Sequence, residues 1–267
     1  MDIFIIMVLL LAGVLAGAVT GLAGASAVMV MAPILILILH MDAYTAIGLS
    51  LCTDVIASLV ASRVYYKHKN INLIPAIPIL LSAFVGITLG SYFSVSFPQS
   101  TLSGATGVGI LLIGLLIISK RNSKEKRKKQ SKLMGRLKKN KTLKYTILSL
   151  IGLIIGLNAG IFGAGGGMML LAVLIFILGY NLHMAIGTSI LIMVFIAFFG
   201  SATHYYYKPF SLIFLLIAAI GGFIGARYSS IIANLTSEKN LKTVVGVLFA
   251  LLGLFLTLNS FFQVALF

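Results

Sequence analysis

The sequence predicts an all-α membrane protein that crosses the bilayer many times and is built from two halves of five hydrophobic segments each. Three observations lead to this prediction: a very apolar composition, a repeat at a spacing of 139 residues, and one basic block between the halves. The chain is 60% hydrophobic and 9% charged, whereas soluble domains are about 25% charged. Every long segment outside the basic block is therefore apolar enough to lie in lipid.

The repeat contains two glycine-containing motifs, each of which occurs once in each half. Residues 17–24 (GAVTGLAG) recur as 156–163 (GLNAGIFG), and AIGLS at 46–50 recurs as AIGTS at 185–189. The same shift, without a gap, matches Phe84, Gly86, Gly107 and Gly114 with Phe223, Gly225, Gly246 and Gly253. Internal duplication in a hydrophobic chain is typical of secondary transporters.

Each half begins with a long uncharged stretch. It covers Ile3–Leu39 in the first half and Tyr145–Tyr180 in the second. Since a full span needs about 20 apolar residues, each stretch is slightly short for two complete helices and a turn. Glycines interrupt both stretches, so we predict a helical hairpin broken around 21–26 and again around 160–167. Whether these hairpins span or re-enter stays open, which gives 8–10 transmembrane helices.

Three further hydrophobic segments follow in each half. They are expected at 43–65, 72–93 and 100–119, and at 183–206, 210–233 and 240–260. With five segments, or three full crossings if the hairpin re-enters, each half crosses an odd number of times. The halves therefore insert with opposite orientation, as an inverted repeat. The predicted parts are a first transmembrane repeat (1–119), a basic linker (120–144) and a second transmembrane repeat (145–267).

The basic residues predict the orientation. Thirteen of the 20 Lys and Arg lie between Lys120 and Lys144, as expected of a cytoplasmic loop under the positive-inside rule. With both termini outside the cell membrane, 19 of the 20 fall on the cytoplasmic side and Lys208 is the exception. A net charge of +15 would suggest nucleic acid in a soluble protein, but here we expect none. The linker is a solvated topology determinant or a lipid-surface helix.

The glycine breaks are the first candidate for a binding site. A helix that begins after a break exposes free N–H groups and the positive end of its dipole. Two such starts, one from each half, would bind an anion near the membrane midplane. The candidate residues are Gly24, Ala25 and Ser26 in the first break and Gly163, Gly165, Gly166 and Gly167 in the second. The alternative is that the glycines only permit close helix packing.

The second candidate is the AIGxS motif with the polar residues near it. Ser50, Thr188 and Ser189 offer hydroxyls to a polar substrate. The alternative is that these hydroxyls bond a backbone carbonyl one turn back. Asn158, just before the second break, either bonds substrate or caps broken backbone.

These motifs match a known family. The GxxGxGGG hairpin at 160–167, the A-x-G-T-S helix at 185–189 and a second copy of both resemble the TauE/SafE family of sulfite-exporter-like membrane permeases. The resemblance implies a secondary transporter of small sulfur-containing or organic anions, usually an exporter. The first break departs from the pattern with Ala25, Ser26 and Ala27, because Ser26 and Ala27 replace glycines.

Asp54 is the one acid expected inside a membrane helix. Ionisable residues in a span are usually functional, and the matching residue in the second half is Met193. We therefore predict coupling to protons or sodium through Asp54. The alternative is that Asp54 pairs with Arg63 or faces a watery cavity. His204 with Tyr205, Tyr206 and Tyr207, and Tyr65 with Tyr66 at the matching segment end, are expected to be interfacial aromatic anchors.

Other function classes fit less well. No GxxxxGK[ST] or HExxH motif occurs, so neither ATP drive nor an enzyme is expected. Four scattered histidines and a lone Cys52 predict no metal, and no cofactor is expected. The expected partners are a small anion and membrane lipid, with a homodimer left open by the glycines at 107, 114, 246 and 253. A passive anion channel or uniporter is the alternative to a coupled transporter.

Overall fold

The computed structural model describes residues 2–93, 111–112, 114–117, 141–162 and 166–265. The helices within these residues are α1 Ile3–Ala23, α2 Val28–Leu39, α3 Ala43–Lys67, α4 Ile77–Phe93, α5 Lys141–Phe162, α6 Gly166–Phe176, α7 Leu182–Tyr207, α8 Leu212–Leu235 and α9 Glu238–Ala265. A short 3-10 turn, Ile74–Ala76, precedes α4. Most of the expected segment 100–119, nearly all of the linker, Gly163 and Gly165 lie outside the described residues.

The prediction of an all-α membrane protein is confirmed. No strand occurs in the described ranges, and five helices there are long and apolar enough to cross a membrane: α1, α3, α4 with its preceding turn, α7 and α8. The second arms of the two hairpins are shorter. α2 has 12 residues and α6 has 11, which at 1.5 Å per residue makes each about 16–18 Å long. Each hairpin second arm is therefore too short to cross the bilayer alone.

Matching caps begin the central helices of the two halves. The Asp42 side chain accepts a hydrogen bond from the N–H of Thr45 (3.1 Å) at the start of α3. The Asn181 side chain, at the matching position, accepts one from the N–H of Met184 (2.8 Å) at the start of α7. Because both side chains satisfy a free helix N–H, the local sequence determines where each helix begins.

Glycines bring the outer helices into backbone contact. α1 packs on α8, and α4 packs on α5. A Cβ at Gly17 would overlap the carbonyl oxygen of Gly222, and a Cβ at Gly156 would overlap that of Ala83. These two contacts are the same under the 139-residue shift, so close packing accounts for both glycines. Gly114, left open as a dimer contact, packs against α9 of its own chain.

α3 and α7 form the buried antiparallel centre of the bundle. Gly48, near the start of α3, lies against the side chain of His204 near the end of α7. Gly187, at the matching position of α7, lies against Tyr65 near the end of α3. Since each glycine leaves room for a facing ring, Tyr65 is 0% and His204 1% exposed. The expectation that these two residues are interfacial anchors is therefore wrong.

The two ends of the bundle carry different polar contacts. At one end, here the Asp42 end, Lys208 Nζ lies 2.9 Å from Asp42 Oδ1. At the other, the Asn70 end, Asn70 donates a hydrogen bond to Asn234 (2.8 Å). Partial burial acts to raise the pKa of the Asp42 carboxyl. Hydrogen bonds from Thr45 and Lys208, with the Lys208 charge, outweigh burial and lower that pKa below its usual value.

Candidate functional site

The first glycine break meets the start of α6 inside the bundle. A Cβ at Gly167, in the first turn of α6, would lie 2.5 Å from the carbonyl oxygen of Gly24 and 3.0 Å from the nitrogen of Ser26. A Cβ at Gly24 would lie 2.5 Å from the Ser189 hydroxyl oxygen. The structure therefore brings together Gly24, Ala25 and Ser26 of the first break with Gly167 and Ser189 of the second half. Ala25, Ser26 and Ser189 are fully or almost fully buried.

The first break is held by a left-handed glycine and by Ser26. Gly24 has φ +64°, and its N–H donates to the carbonyl of Thr20 (2.9 Å), which ends α1. A residue with a side chain is strained at this backbone angle. Two residues later, the Ser26 hydroxyl oxygen accepts from the N–H of Val28 (3.3 Å) at the start of α2. The sequence G-A-S thus turns the chain and caps the next helix.

Asp54 binds this break from the middle of α3. The Ser26 hydroxyl donates to Asp54 Oδ2 (2.7 Å), and the Ser58 hydroxyl donates to Oδ1 (3.2 Å). The Thr20 hydroxyl, which also faces the Ala16 carbonyl (3.1 Å), lies 3.3 Å from Oδ1. The backbone N–H of Ala27 also interacts with the carboxylate. Asp54 is 0% exposed, and within the described ranges no cation lies at ion-pair distance from it. The partners of Asp54 are therefore hydroxyl and amide groups, and not Arg63, the ion-pair partner considered from the sequence.

The second half places an apolar side chain at the corresponding point. A Cβ at Gly166, the first residue of α6, would lie 3.0 Å from the Ala159 methyl and 3.7 Å from Met193 Sδ. Ala159 and Met193 match Thr20 and Asp54 under the 139-residue shift. The start of α6 thus faces a methyl and a thioether where the start of α2 faces a carboxylate.

The remaining predicted site residues have diverse surroundings. Ser50 donates to the Ala46 carbonyl (2.6 Å) and Ser189 to the Ile186 carbonyl (2.9 Å), both within their own helices. The Thr188 hydroxyl accepts from the N–H of Asn72 (3.0 Å) at the Asn70 end. The serines therefore make the backbone bonds that were the alternative to substrate binding.

Asn158 lies on α5, next to the alanine that contacts Gly166. Its Oδ1 is buried without a hydrogen-bond partner, so that oxygen does not cap the broken backbone. Gly163 and Gly165 fall outside the described residues, and nothing in the structure bears on them.

Sequence reasoning missed Thr20, Ser58 and Tyr65. Thr20 and Ser58 bind Asp54, and the Tyr65 hydroxyl donates to the Gly21 carbonyl (3.0 Å), beside the first break. A usable signal was present, because Ser58 lies one helical turn from Asp54. Within the described part of the chain no three His, Cys, Asp or Glu side chains are close enough to hold a metal ion.

Comparisons with known proteins agree with this architecture. The family model for sulfite exporter TauE/SafE matches residues 9–256. The probable membrane transporter protein YunE of Bacillus subtilis is 23% identical over 97% of this chain and 99% of its own length. The probable membrane transporter protein YdhB of the same organism is 25% identical over 94% and 99%. No solved structure gave a significant match.

Proposed function

Since this membrane transporter belongs to the sulfite exporter TauE/SafE family, we propose that it is a secondary transporter of small sulfur-containing or organic anions. Sulfite is the anion that the family description names, and we propose sulfonates and thiosulfate as related substrates. We further propose that it exports them across the cell membrane by alternating access of two inverted halves. The family and the names of its relatives indicate a transporter and not an enzyme.

The observation that carries this proposal is the contact between the first break and the start of α6. The first turn of α6 lies against Gly24 and Ser26 of the first break. Helix starts present unpaired N–H groups and about half a positive charge each, so they attract anions without a buried arginine. Irregular backbone at membrane depth is tolerated where it lines a cavity or is buried in protein. We propose that the anion binds at the start of α6, with Gly166 and Gly167.

Matched contacts support the inverted arrangement. Gly17 with Gly222 repeats as Gly156 with Ala83, and the facing pairs of α3 and α7 repeat likewise. Asp42 and Lys208, both expected outside the cell, lie at the same end of the bundle. We therefore propose that both termini are outside and the linker is cytoplasmic. A homodimer stays a prediction.

Coupling to protons or sodium through Asp54 is a second proposal, separate from the direction of transport. Three hydroxyls lie at hydrogen-bond distance from this carboxylate. We propose that a proton on Asp54 occupies an oxygen that now accepts, so that one of these hydroxyls must turn away. Sodium would instead compete for the carboxylate and hydroxyl oxygens. Where the displaced hydroxyl is that of Ser26, the start of α2 is released from α3, which links ion binding to movement of the break.

Uptake of labelled sulfite and thiosulfate into proteoliposomes tests the function, with proton and sodium gradients imposed separately. We expect anion accumulation, and we expect Gly166→Val to abolish it because the added methyl groups must displace Ala159. Leu170→Met, a volume-conserving change in the same helix, is the matched control. Transport by Gly166→Val at the control rate would contradict the site.

The coupling has its own test. If Asp54→Asn leaves the gradient dependence unchanged, coupling through Asp54 is wrong. Downhill flux that ignores both gradients would support the alternative function, a passive anion channel or uniporter.

A further inference from the structure

We propose that Asp54, in its charged form, is an internal anion that fills the helix start of the first half. The carboxylate takes the place at the start of α2 that a substrate anion would take at the start of α6. Asp54 is then a positioning residue, and the transporter has one substrate site and not two. This consequence for substrate rests on the proposed function, whereas the role of Asp54 as an anion does not.

The contacts of Asp54 are those of an anion bound at a helix N-terminus. The Val28 N–H donates to the Ser26 hydroxyl oxygen (3.3 Å), and that hydroxyl donates to Asp54 (2.7 Å). One of the N–H groups left free at the helix start is thus paired through Ser26. The Ala27 N–H, directly before α2, also interacts with the carboxylate. The negative charge also lies where the helix dipole favours it.

The second half lacks this internal anion by sequence. Four side chains form the polar cluster in the first half: Thr20, Ser26, Asp54 and Ser58. The four residues at the matching positions are Ala159, Gly165, Met193 and Ala197. None of those four residues has a hydroxyl or carboxylate, and the Met193 sulfur lies at the start of α6.

The exchange of all four polar positions for apolar ones makes the two helix starts unequal. The start of α2 is neutralised and tied to α3, and Tyr65 adds a further bond between α3 and the last turn of α1. The start of α6 keeps its affinity for an anion from outside the protein. The first half therefore contributes a helix start that is already occupied, and the second half contributes the helix start that binds the substrate anion.

Chemical rescue tests the role of Asp54 in the purified full-length chain. Asp54→Ala removes the carboxylate, and formate is the probe because it is a free carboxylate of similar size. We expect Asp54→Ala to lower the thermal unfolding midpoint in detergent, and formate to restore at least about half of that loss. Met193→Ala opens a cavity at the matching position without removing a charge. We expect formate to raise the Met193→Ala midpoint no more than that of the wild type.

Asp54→Asn keeps the side-chain shape and removes the charge. We expect a lowered midpoint that formate does not restore, because the amide occupies the site. Asp54→Asn as stable as the wild type would overturn the proposal, even if Asp54→Ala does not fold. Equal effects of formate on Asp54→Ala and Met193→Ala would also overturn it.

Binding of labelled sulfite separates this proposal from the proposed function. We expect one bound anion per wild-type chain and a second in Asp54→Ala without formate. No sulfite binding to the wild type, together with rescue by formate, would reject the substrate and keep the internal anion. Sulfite binding without rescue would do the reverse.

Discussion

Two tyrosines on α3 should respond in opposite ways to loss of their hydroxyls. Tyr65 is 0% exposed and donates to the Gly21 carbonyl (3.0 Å). Tyr65→Phe leaves that carbonyl unpaired in the interior, at a cost of about 1–3 kcal/mol. The hydroxyl of Tyr44 is buried with no hydrogen-bond partner, and its ring stacks on His204 at 4.3 Å. Tyr44→Phe keeps the stack and removes an unsatisfied group, so we expect it to be neutral or stabilising.

The two variants should therefore differ in unfolding free energy by about 1–3 kcal/mol or more. The assay is denaturation of the purified chain by titration with sodium dodecyl sulfate in a fixed detergent, followed by loss of helical circular dichroism. Both variants lose one oxygen from the same helix, so each is the control for the other. A loss in Tyr44→Phe as large as that in Tyr65→Phe would refute the reasoning, because it would show that the Tyr44 hydroxyl has a stabilising partner.

Two further predictions concern helix packing and the Asp42 end. Gly17→Ala and Gly156→Ala should each lower stability by about 1–3 kcal/mol or more in the same titration, because the new methyl group overlaps backbone. Gly222→Ala, whose Cβ would meet a Thr53 methyl at 3.0 Å, should cost less, and equal losses would contradict the packing. Asp42→Asn should cost less than about 1 kcal/mol, since the pair with Lys208 is half exposed. The Asp42 pKa is lowered on folding. The stability difference between Asp42→Asn and the wild type should therefore be present at neutral pH and vanish as pH falls below the usual value of about 3.9. A stability difference that persists in acid would contradict this role of the Asp42 charge.

The sequence was sufficient to predict the helices but not the burial of individual side chains on them. Apolar runs and turn residues predicted α3, α7 and α8 to within two residues at each end. The caps at Asp42 and Asn181 are local signals, which is why those boundaries could be read directly. The burial of Tyr65 and His204 could not be predicted from the sequence, because it depends on a glycine in the facing helix. A long-range contact of this kind leaves no mark on the residues next to the tyrosine or the histidine.

The site was partly predictable for the same reason. The repeat predicted that Gly24 and Ser26 belong to a break, and the structure places that break against Gly167, which was assigned to the second break and lies in the first turn of α6. It also isolated Asp54 as the acid without a counterpart. The partners of Asp54 come from α1, from the break and from α3 itself, so only the last of them lies at a readable spacing. Comparing matched positions for polarity would have found the others.

Export and coupling through Asp54 predict opposite responses to a proton gradient. A charged Asp54 offsets the roughly half positive charge at the start of α2 and adds negative charge beside the start of α6. Asp54 binds Ser26 (2.7 Å), whose nitrogen lies 3.0 Å from the Cβ position of Gly167, so its charge is close to the proposed anion site. Protonation and anion binding should then favour each other, which makes proton and anion move in the same direction. An inward proton gradient would drive uptake through this site, whereas export would be driven by an inside-negative potential with Asp54 left charged. Counterflow at fixed potential, with only the pH gradient reversed, decides between export and coupling through Asp54. Accumulation that follows the proton gradient and disappears in Asp54→Asn rejects export. Accumulation that follows potential alone rejects the coupling.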